Sequence, residues 1–198
     1  MKRHLFAFFA AAFVSVAAYA QSAPIDVVRT AVEGTVKAVK ADPTASGGDI
    51  PTITKIVEAK FLPATNFDRT ARIAAGDAWK QASPQQQQEI SKQFTTLMTR
   101  TYAASLAQVG SQDVHFTFTP STTSADDAVI ASTVITPGDS QNVAYRLSKV
   151  DGVWKIYDID LGGAWLIQVY QGQFKSRLDQ GGVDGLINFL KEHNERSQ

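Results

Sequence analysis

The sequence predicts an α+β protein in which helices pack against a curved antiparallel sheet of about four strands. Apolar residues recur at helical spacing from Pro24 to about Gly110, and beyond that point they alternate with a period of two. The last three strands carry apolar residues on both faces, which indicates a sheet that does not have one face in water. Helical spacing returns near the C-terminus, and this order of elements is typical of the α+β class.

The first 20 residues have the pattern of a secretory signal peptide. Basic residues at 2–4 precede an apolar stretch at 5–18, and Ala18-Tyr19-Ala20 then provides a cleavage pattern of small residues. The apolar stretch is shorter than the roughly 20 residues that a membrane-spanning helix needs. We therefore expect cleavage after Ala20 and export of the remaining chain.

Composition excludes several classes of function. Removing 20 residues from 198 leaves 178, and the loss of Lys2 and Arg3 leaves 17 basic against 19 acidic side chains. This near-neutral chain has no Lys/Arg cluster, so it offers no electrostatic footprint for nucleic acid. The absence of cysteine excludes disulfides, thiolate nucleophiles and sulfur-ligated metals. His115 and His193, the two remaining histidines, are too few and too scattered for a metal site.

Residues 21–198 are predicted to form a single domain. The clearest helix start is at residues 83–86, where a capping serine, a proline at the first helical position and a capping-box glutamine coincide. This long helix is expected to end near Gly110. The domain divides into a helical part at about 24–110, a sheet at about 113–161 and closing helices at about 164–193.

The predicted sheet is a meander of two hairpins. Asp151-Gly152 is its strongest turn signal. On the strand that follows, strict alternation places Trp154 and Ile156 on one face, opposite Ile159 on the other. The strands are expected at 114–119, 127–136, 142–150 and 153–161, with turns at 137–140 and 151–152.

Two closing helices are expected at about 164–178 and 183–193, separated by Gly181-Gly182. The first carries an i, i+4 apolar stripe, which we expect to lie on the sheet with room for a ligand between them. The stripe consists of Leu166, Tyr170, Phe174 and Leu178.

Carboxylates are the only plausible catalytic groups. Asp158 and Asp160 are i, i+2 neighbours on a strand and share a face. If that face lined a cavity, their like charges would raise a pKa, as a general acid requires. If the face is solvated near the strand end, neither has a catalytic role. Tyr145, Tyr157 and Tyr170 are either hydroxyls in such a cavity or ordinary core residues.

Three stretches together resemble the MlaC family, also called toluene-tolerance periplasmic phospholipid-binding proteins. The matching features are FDR, a Trp before a Ser-Pro-Gln helix start, RTYA, a WKIYD strand and a Y-x-x-x-F helix. The likeness covers most of the mature chain in the right order. The stretches are residues 67–106, 153–174 and 181–190.

The resemblance implies a nuclear transport factor 2-like cone of sheet and helix with an added helical lobe. It further implies a non-enzymatic carrier that moves phospholipid through the periplasm of Gram-negative bacteria and maintains the lipid asymmetry of the outer membrane. The implied partners are an outer-membrane lipid-asymmetry complex and an inner-membrane ABC transporter with an MCE-domain ring. Phospholipid is then cargo, and no cofactor or metal is implied. The alternative is an isomerase or hydratase of the same cone-like fold that uses Asp158 or Asp160.

The last motif departs from the family pattern, which is near D-G-V-S-L-V-x-N-Y-R-x-x-F. Gly162 stands in place of the acid, Trp165 of the serine, Val169 of the asparagine and Gln171 of the arginine. These changes remove polar groups and make the region more apolar, which favours contact with lipid tails or tighter packing over contact with a head group.

The expected lining of the lipid cavity is apolar and comes from the long helix, the strands and the first closing helix. Arg100 and Arg146 interrupt apolar surroundings, and each either meets an anionic head group or forms a salt bridge. The predicted lining consists of Phe94, Leu97, Met98, Tyr102, Phe116, Phe118, Leu147, Ile156, Leu166, Ile167, Tyr170 and Phe174.

Overall fold

The computed structural model describes residues 22–196. The predicted signal peptide therefore lies outside the described residues. Within 22–196, no helix is both long and apolar enough to cross a membrane.

Helices make up the first half of the described chain, as predicted. Ser83 begins the longest of them with both hydrogen bonds of a capping box, and Asp42, Asp49 and Asn66 cap shorter helices through their side chains. Gly76 separates the two short helices between residues 67 and 81, because its φ of 59° interrupts helical geometry. The helices are α1 Pro24–Ala41, α2 Pro43–Ser46, α3 Ile50–Lys60, α4 Phe67–Ala75, α5 Ala78–Gln81 and α6 Pro84–Gly110, with a 3₁₀ turn at Leu62–Ala64.

The sheet is antiparallel, curved and unclosed, with five strands in sequential order. Asp151 and Gly152 both have positive φ at the tight β3–β4 turn, as the sequence predicted. The fifth strand was not predicted because it is only two residues long. The strands are β1 His115–Thr123, β2 Asp127–Thr136, β3 Asp139–Val150, β4 Val153–Leu161 and β5 Ala164–Trp165.

A β-bulge in β4 changes which side chains face inward. Arg146 pairs with Asp158 and Leu147 pairs with Ile156, so Tyr157 is an extra residue on β4. Directly opposed residues share a face, and Tyr145 pairs with Ile159. Ile156 and Ile159 therefore lie on the same face of the sheet, whereas strict alternation had placed them on opposite faces.

The closing region is one helical segment, α7 Leu166–Arg196, interrupted at Gly182. Gly182 has φ 60° and ψ −153°, a conformation that only glycine adopts readily. The prediction of two closing helices separated at the glycine pair thus agrees with the structure.

The core consists of three apolar clusters. The helical cluster joins α4, α6 and α7 and includes Phe94, Tyr170 and Phe174. The sheet cluster packs α1 against β2, β3 and β4 through residues such as Val28 and Leu147. A third cluster joins α1 and α3 to the C-terminal half of α6. Ile159 contacts both the helical cluster and the sheet cluster, so β4 is the seam between them.

Candidate functional site

A small apolar cleft lies where the helical cluster meets the sheet cluster. Its volume is about 20 Å³, close to the space that one water molecule needs. Met98 of α6 and Leu166 of α7 form one wall, and Ile156 and Ile159 of β4 form the other. The complete lining is Phe61, Thr65, Phe67, Thr70, Met98, Ile156, Tyr157, Asp158, Ile159 and Leu166.

Three of the twelve residues predicted to line a cavity lie at this cleft: Met98, Ile156 and Leu166. The other nine are distributed over the clusters on either side of it. The helical cluster buries Phe94, Leu97, Tyr170 and Phe174, and Tyr102 packs against it. The sheet cluster buries Leu147, and Phe118 packs against it with Phe116 stacked on its ring. Ile167 is buried at the start of α7.

The apolar stripe of α7 packs mainly on α6, not on the sheet. Phe94 of α6 makes edge-on contacts with both Tyr170 and Phe174, each with ring centroids 4.9 Å apart. Leu166, in the first turn of α7, reaches the cleft. The ligand space expected beneath the whole stripe is therefore confined to its N-terminal end.

Sequence reasoning missed much of the cleft lining. Phe61 and Phe67 flank the turn between α3 and α4, and nothing in a local pattern shows that this turn reaches β4. The backbone amide of Asn66 donates a hydrogen bond to the carbonyl of Ile156 at 2.7 Å, and this bond holds the turn against β4. Ile159 was assigned to the other face because the bulge was not visible in the sequence.

Asp158 is a fully buried carboxylate at the edge of the cleft. Its Oδ1 accepts hydrogen bonds from the backbone amides of Ile159 and Ile167, both at 3.0 Å. Since Ile167 is in the first turn of α7, Asp158 caps this helix from the sheet. Burial raises the pKa of Asp158, while the Ile167 amide and the Arg146 guanidinium partly oppose the shift.

Arg146 holds the other oxygen of this carboxylate. Its Nη1 donates to Asp158 Oδ2 at 3.1 Å, and its guanidinium stacks 3.7 Å from the ring centre of Trp165. The Arg146 side chain remains 40% exposed. Of the two roles considered for Arg146, the structure shows the salt bridge.

Arg100, the other arginine considered as a head-group contact, joins two helices. Its Nη1 donates to the backbone carbonyl of Asn194 at 2.6 Å, which ties α6 to the C-terminal part of α7. The side chain of Asn194 in turn donates to Gln93 of α6. Arg100 is part of this helix contact and does not line the cleft.

Asp158 and Asp160 make separate contacts within the protein. Asp160 accepts a hydrogen bond from the Gly163 amide at 2.7 Å and so stabilises the β4–β5 turn. Both oxygens of Asp158 accept hydrogen bonds from protein groups.

The tyrosines are placed as structural residues. Burial raises the pKa of Tyr145 to about 12, and burial also raises the pKa of Tyr170, whose hydroxyl interacts with Tyr102. Tyr157 lies on the bulge with its ring 4.0 Å from the Arg69 guanidinium. These groups favour an apolar, binding cleft over an acid–base site.

A larger space of about 380 Å³ lies elsewhere, as an open groove along α7 on both sides of Gly182. It is lined mainly by polar side chains, including Arg177, Gln180 and Glu192. The smaller cleft is the better candidate because its lining is mostly apolar and it lies between the helical cluster and the sheet cluster. Within residues 22–196, no group of three or more metal-binding side chains is found.

Comparisons with known proteins agree with the sequence resemblance. The family model for MlaC protein matches residues 29–192. A solved structure of the phospholipid-binding protein from Ralstonia solanacearum, determined in complex with a phospholipid, is 37% identical in sequence and has a TM-score of 0.83. That match covers 89% of this chain and 99% of the Ralstonia chain.

Proposed function

Because the chain belongs to the MlaC family, we propose that it is a phospholipid carrier whose cargo enters between the helical cluster and the sheet. The observation that carries the proposal is the apolar cleft at the seam of these two clusters, in a fold shared with a phospholipid-binding protein. The lining supplies aliphatic and aromatic surface from three helices and a strand, which suits hydrocarbon.

The energetic need for such a carrier is large. Two acyl chains of about fifteen carbons contain roughly thirty methylenes, and at about 0.8 kcal/mol each their exposure to water costs on the order of 24 kcal/mol. A protein that carries phospholipid across an aqueous space must therefore enclose nearly all of both chains, and leave the polar head near the opening.

The cleft is too small to do this without movement. A space of about 20 Å³ holds one water, whereas a pocket for a ligand of even drug size measures roughly 300–1,000 Å³. Loading therefore requires the helical cluster and the sheet to separate along β4. Such a motion exchanges protein contacts for lipid contacts on both walls and keeps the interior of each cluster packed.

The cellular role in the proposal rests on the signal-peptide pattern and on the family. The carrier would operate in the periplasm and exchange phospholipid with an outer-membrane lipid-asymmetry complex and an inner-membrane ABC transporter bearing an MCE-domain ring. The near-neutral charge of the mature chain fits transfer through protein partners, since it gives no electrostatic attraction to an anionic bilayer.

The first test is native mass spectrometry of protein purified without detergent, followed by solvent extraction and lipid analysis. We expect a mass increment that corresponds to bound diacyl phospholipid. Protein that carries no lipid, and that takes up none from vesicles of phosphatidylethanolamine and phosphatidylglycerol, contradicts the carrier function.

A charge in the cleft should prevent loading. Ile159 is partly buried on β4 and lies in the cleft wall, so Ile159→Asp places a carboxylate against the acyl chains. We expect at least a tenfold loss of bound lipid, an effect of about 1.4 kcal/mol or more. Val153→Asp is the matched control, because Val153 is on the same strand but 52% exposed and away from the cleft. Equal lipid content in the two variants would refute the location.

A further inference from the structure

The first turn of α7 is attached to the sheet by a buried charge. Asp158 accepts a hydrogen bond from the backbone amide of Ile167 at 3.0 Å. Leu166, which precedes Ile167 in the chain, forms part of the cleft wall. Any movement that draws Leu166 away from β4 must lengthen or break this hydrogen bond. The group that caps α7 is thus positioned to resist opening of the cleft.

Two other hydrogen bonds join the helices to β4 at the cleft, and in both the acceptor is an uncharged backbone carbonyl. The Asn66 amide donates to the carbonyl of Ile156, and the Thr70 hydroxyl donates to the carbonyl of Tyr157 at 2.7 Å. These bonds hold α4 to β4. Among the described residues at the cleft lining, Asp158 is the one ionisable carboxylate.

Arg146 contacts Asp158 from the neighbouring strand β3, and its side chain is partly exposed. It lies opposite Asp158 on β3, donates to it at 3.1 Å and stacks on Trp165, the residue just before α7. Arg146 therefore contacts both the capping carboxylate and the strand that leads into the helix. The turn before Trp165 contains Gly162 and Gly163, with φ of 64° and 96°, where the chain has no side chains to hinder a change of direction.

We propose that Arg146 and Asp158 form a latch that holds the start of α7 on the sheet, and that release of this latch opens the cleft to an acyl chain. The proposal rests on the proposed function, because the latch gates lipid exchange. Arg146 and Asp158 act as positioning residues: they hold a wall of the cleft and do not need to touch the cargo.

The physical basis is the cost of a buried carboxylate. With Arg146 present, the charge of Asp158 is partly compensated and the closed arrangement is maintained. Without Arg146, the same carboxylate is buried beside the cleft with backbone amides alone, and the closed arrangement loses stability relative to an open one that admits water. Asp158→Asn at the same time removes the uncompensated charge and keeps a side-chain oxygen that can accept the Ile167 amide, so the second substitution should reverse much of the effect of the first.

The test combines Arg146→Met with Arg146→Met/Asp158→Asn. Two rates are measured: hydrogen exchange of the Ile167 amide, and transfer of a fluorescent phosphatidylethanolamine from the loaded protein to phosphatidylcholine vesicles. We expect Arg146→Met to accelerate both rates about tenfold, and the double variant to return to within about threefold of the unaltered protein. Lys149→Met is the matched control, because Lys149 is also a cation on β3, lies over the Trp154 ring and forms an ion pair with Asp126. This substitution should leave both rates unchanged.

Different outcomes separate the latch from other roles of Arg146. Unchanged rates in Arg146→Met overturn the latch. Accelerated transfer that persists in the double variant also overturns it, because Arg146 then acts by packing on Trp165 or by contact with the lipid head. If Arg146→Met does not fold, Arg146→Lys is used instead; it keeps the charge but loses the planar stack, so the latch predicts nearly unchanged rates, and a tenfold acceleration in that variant overturns the proposal.

The two proposals fail in different ways. A protein that neither carries nor accepts lipid contradicts the proposed function, while exchange of the Ile167 amide still reports whether Arg146 holds the start of α7. A protein that carries lipid and transfers it at the same rate in all variants retains the carrier function and loses the latch.

Discussion

At the scale of single residues, Asp158 shows how burial and hydrogen bonding decide the role of a carboxylate. The sequence singles it out because a carboxylate among apolar residues is a candidate acid. Its neighbours in the structure are two backbone amides and a guanidinium, all of which require an acceptor. A carboxylate that satisfies three donors and caps a helix has a positional role.

The raised pKa of Asp158 predicts how the stability of the protein depends on pH. Its folded-state pKa lies above the ordinary value of 3.8, chiefly because of burial, so the folded protein binds this proton more readily than the unfolded chain. Its contribution to stability is therefore fully present below pH 3.8 and is lost as the pH rises through the folded-state pKa. We expect Asp158→Asn to gain stability relative to the unaltered protein as the pH rises, measured by urea unfolding between about pH 3 and pH 7.

The charged groups around Asp158 belong to several elements and must be kept unchanged in that experiment. Arg146 on β3 is in contact with it, Asp160 follows it on β4, and Arg69 on α4 lies over the neighbouring Tyr157. Glu89 provides a control of opposite sign. A hydrogen bond from Lys191 lowers the pKa of Glu89, so Glu89→Gln should lose stability relative to the unaltered protein as the pH rises. The same trend in both variants would contradict this interpretation.

At the scale of secondary-structure elements, the break in α7 is set by one glycine of a pair. Gly181 has helical geometry, while Gly182 has φ 60° and ψ −153°. The bend brings the second part of α7 back against α6, where Leu186, Ile187 and Leu190 enter the helical cluster. The pair Gly181-Gly182 in the sequence indicates a break in the helix. Because either glycine can adopt a positive φ, the sequence does not show which of the two carries the break.

The two glycines should respond differently to the same substitution. Gly182→Ala forces a β-carbon into a conformation that non-glycine residues avoid, and we expect a loss of about 1–3 kcal/mol in the free energy of unfolding. Gly181→Ala meets nothing within 4 Å and reduces the freedom of the unfolded chain, so it should gain about 0.4–1 kcal/mol. Thermal unfolding followed by circular dichroism measures both. Equal shifts for the two variants would show that the break is not held at Gly182.

At the scale of the whole molecule, the helical cluster and the sheet cluster meet along β4, where Ile159 contacts both. The third cluster joins α1 and α3 to α6 beside this seam. The cleft between the helical cluster and the sheet cluster measures about 20 Å³, so the closed arrangement is packed without a ligand. If the proposed carrier function holds, we expect the protein to stay folded without lipid.

Removal of bound lipid should therefore lower stability without unfolding the protein. A ligand present at about a hundred times its Kd adds about 2.7 kcal/mol, which for a chain of this size raises Tm by roughly 5–10 °C. Lipid-free protein, obtained by refolding after solvent extraction, is compared with reloaded protein by calorimetry. The helical circular dichroism of the two forms should match closely. Loss of this signal in the lipid-free form would show that cargo is part of the core.

Most elements of the fold could be predicted because their signals are local. The capping box at Ser83 fixed the start of α6, and Asp151-Gly152 fixed the β3–β4 turn. The predicted sheet had four strands because the fifth, Ala164–Trp165, is too short to show a period. The candidate site was only partly predictable. Apolar residues on helices and strands are recognisable as core, but a sequence pattern does not distinguish the interior of a cluster from a surface between two clusters.

The sequence by itself determined the class of fold, the order of helices and strands, and the family resemblance, since these follow from periodicity, capping and turn chemistry along the chain. The tertiary structure decided which apolar residues face the cleft, and it did so through two long-range features. The bulge at Tyr157 turned Ile159 inward, and the docking of the turn around Asn66 on β4 brought Phe61 and Phe67 to the same place. It also decided the role of Asp158, because the field around a carboxylate depends on groups that are distant in the chain and adjacent in space.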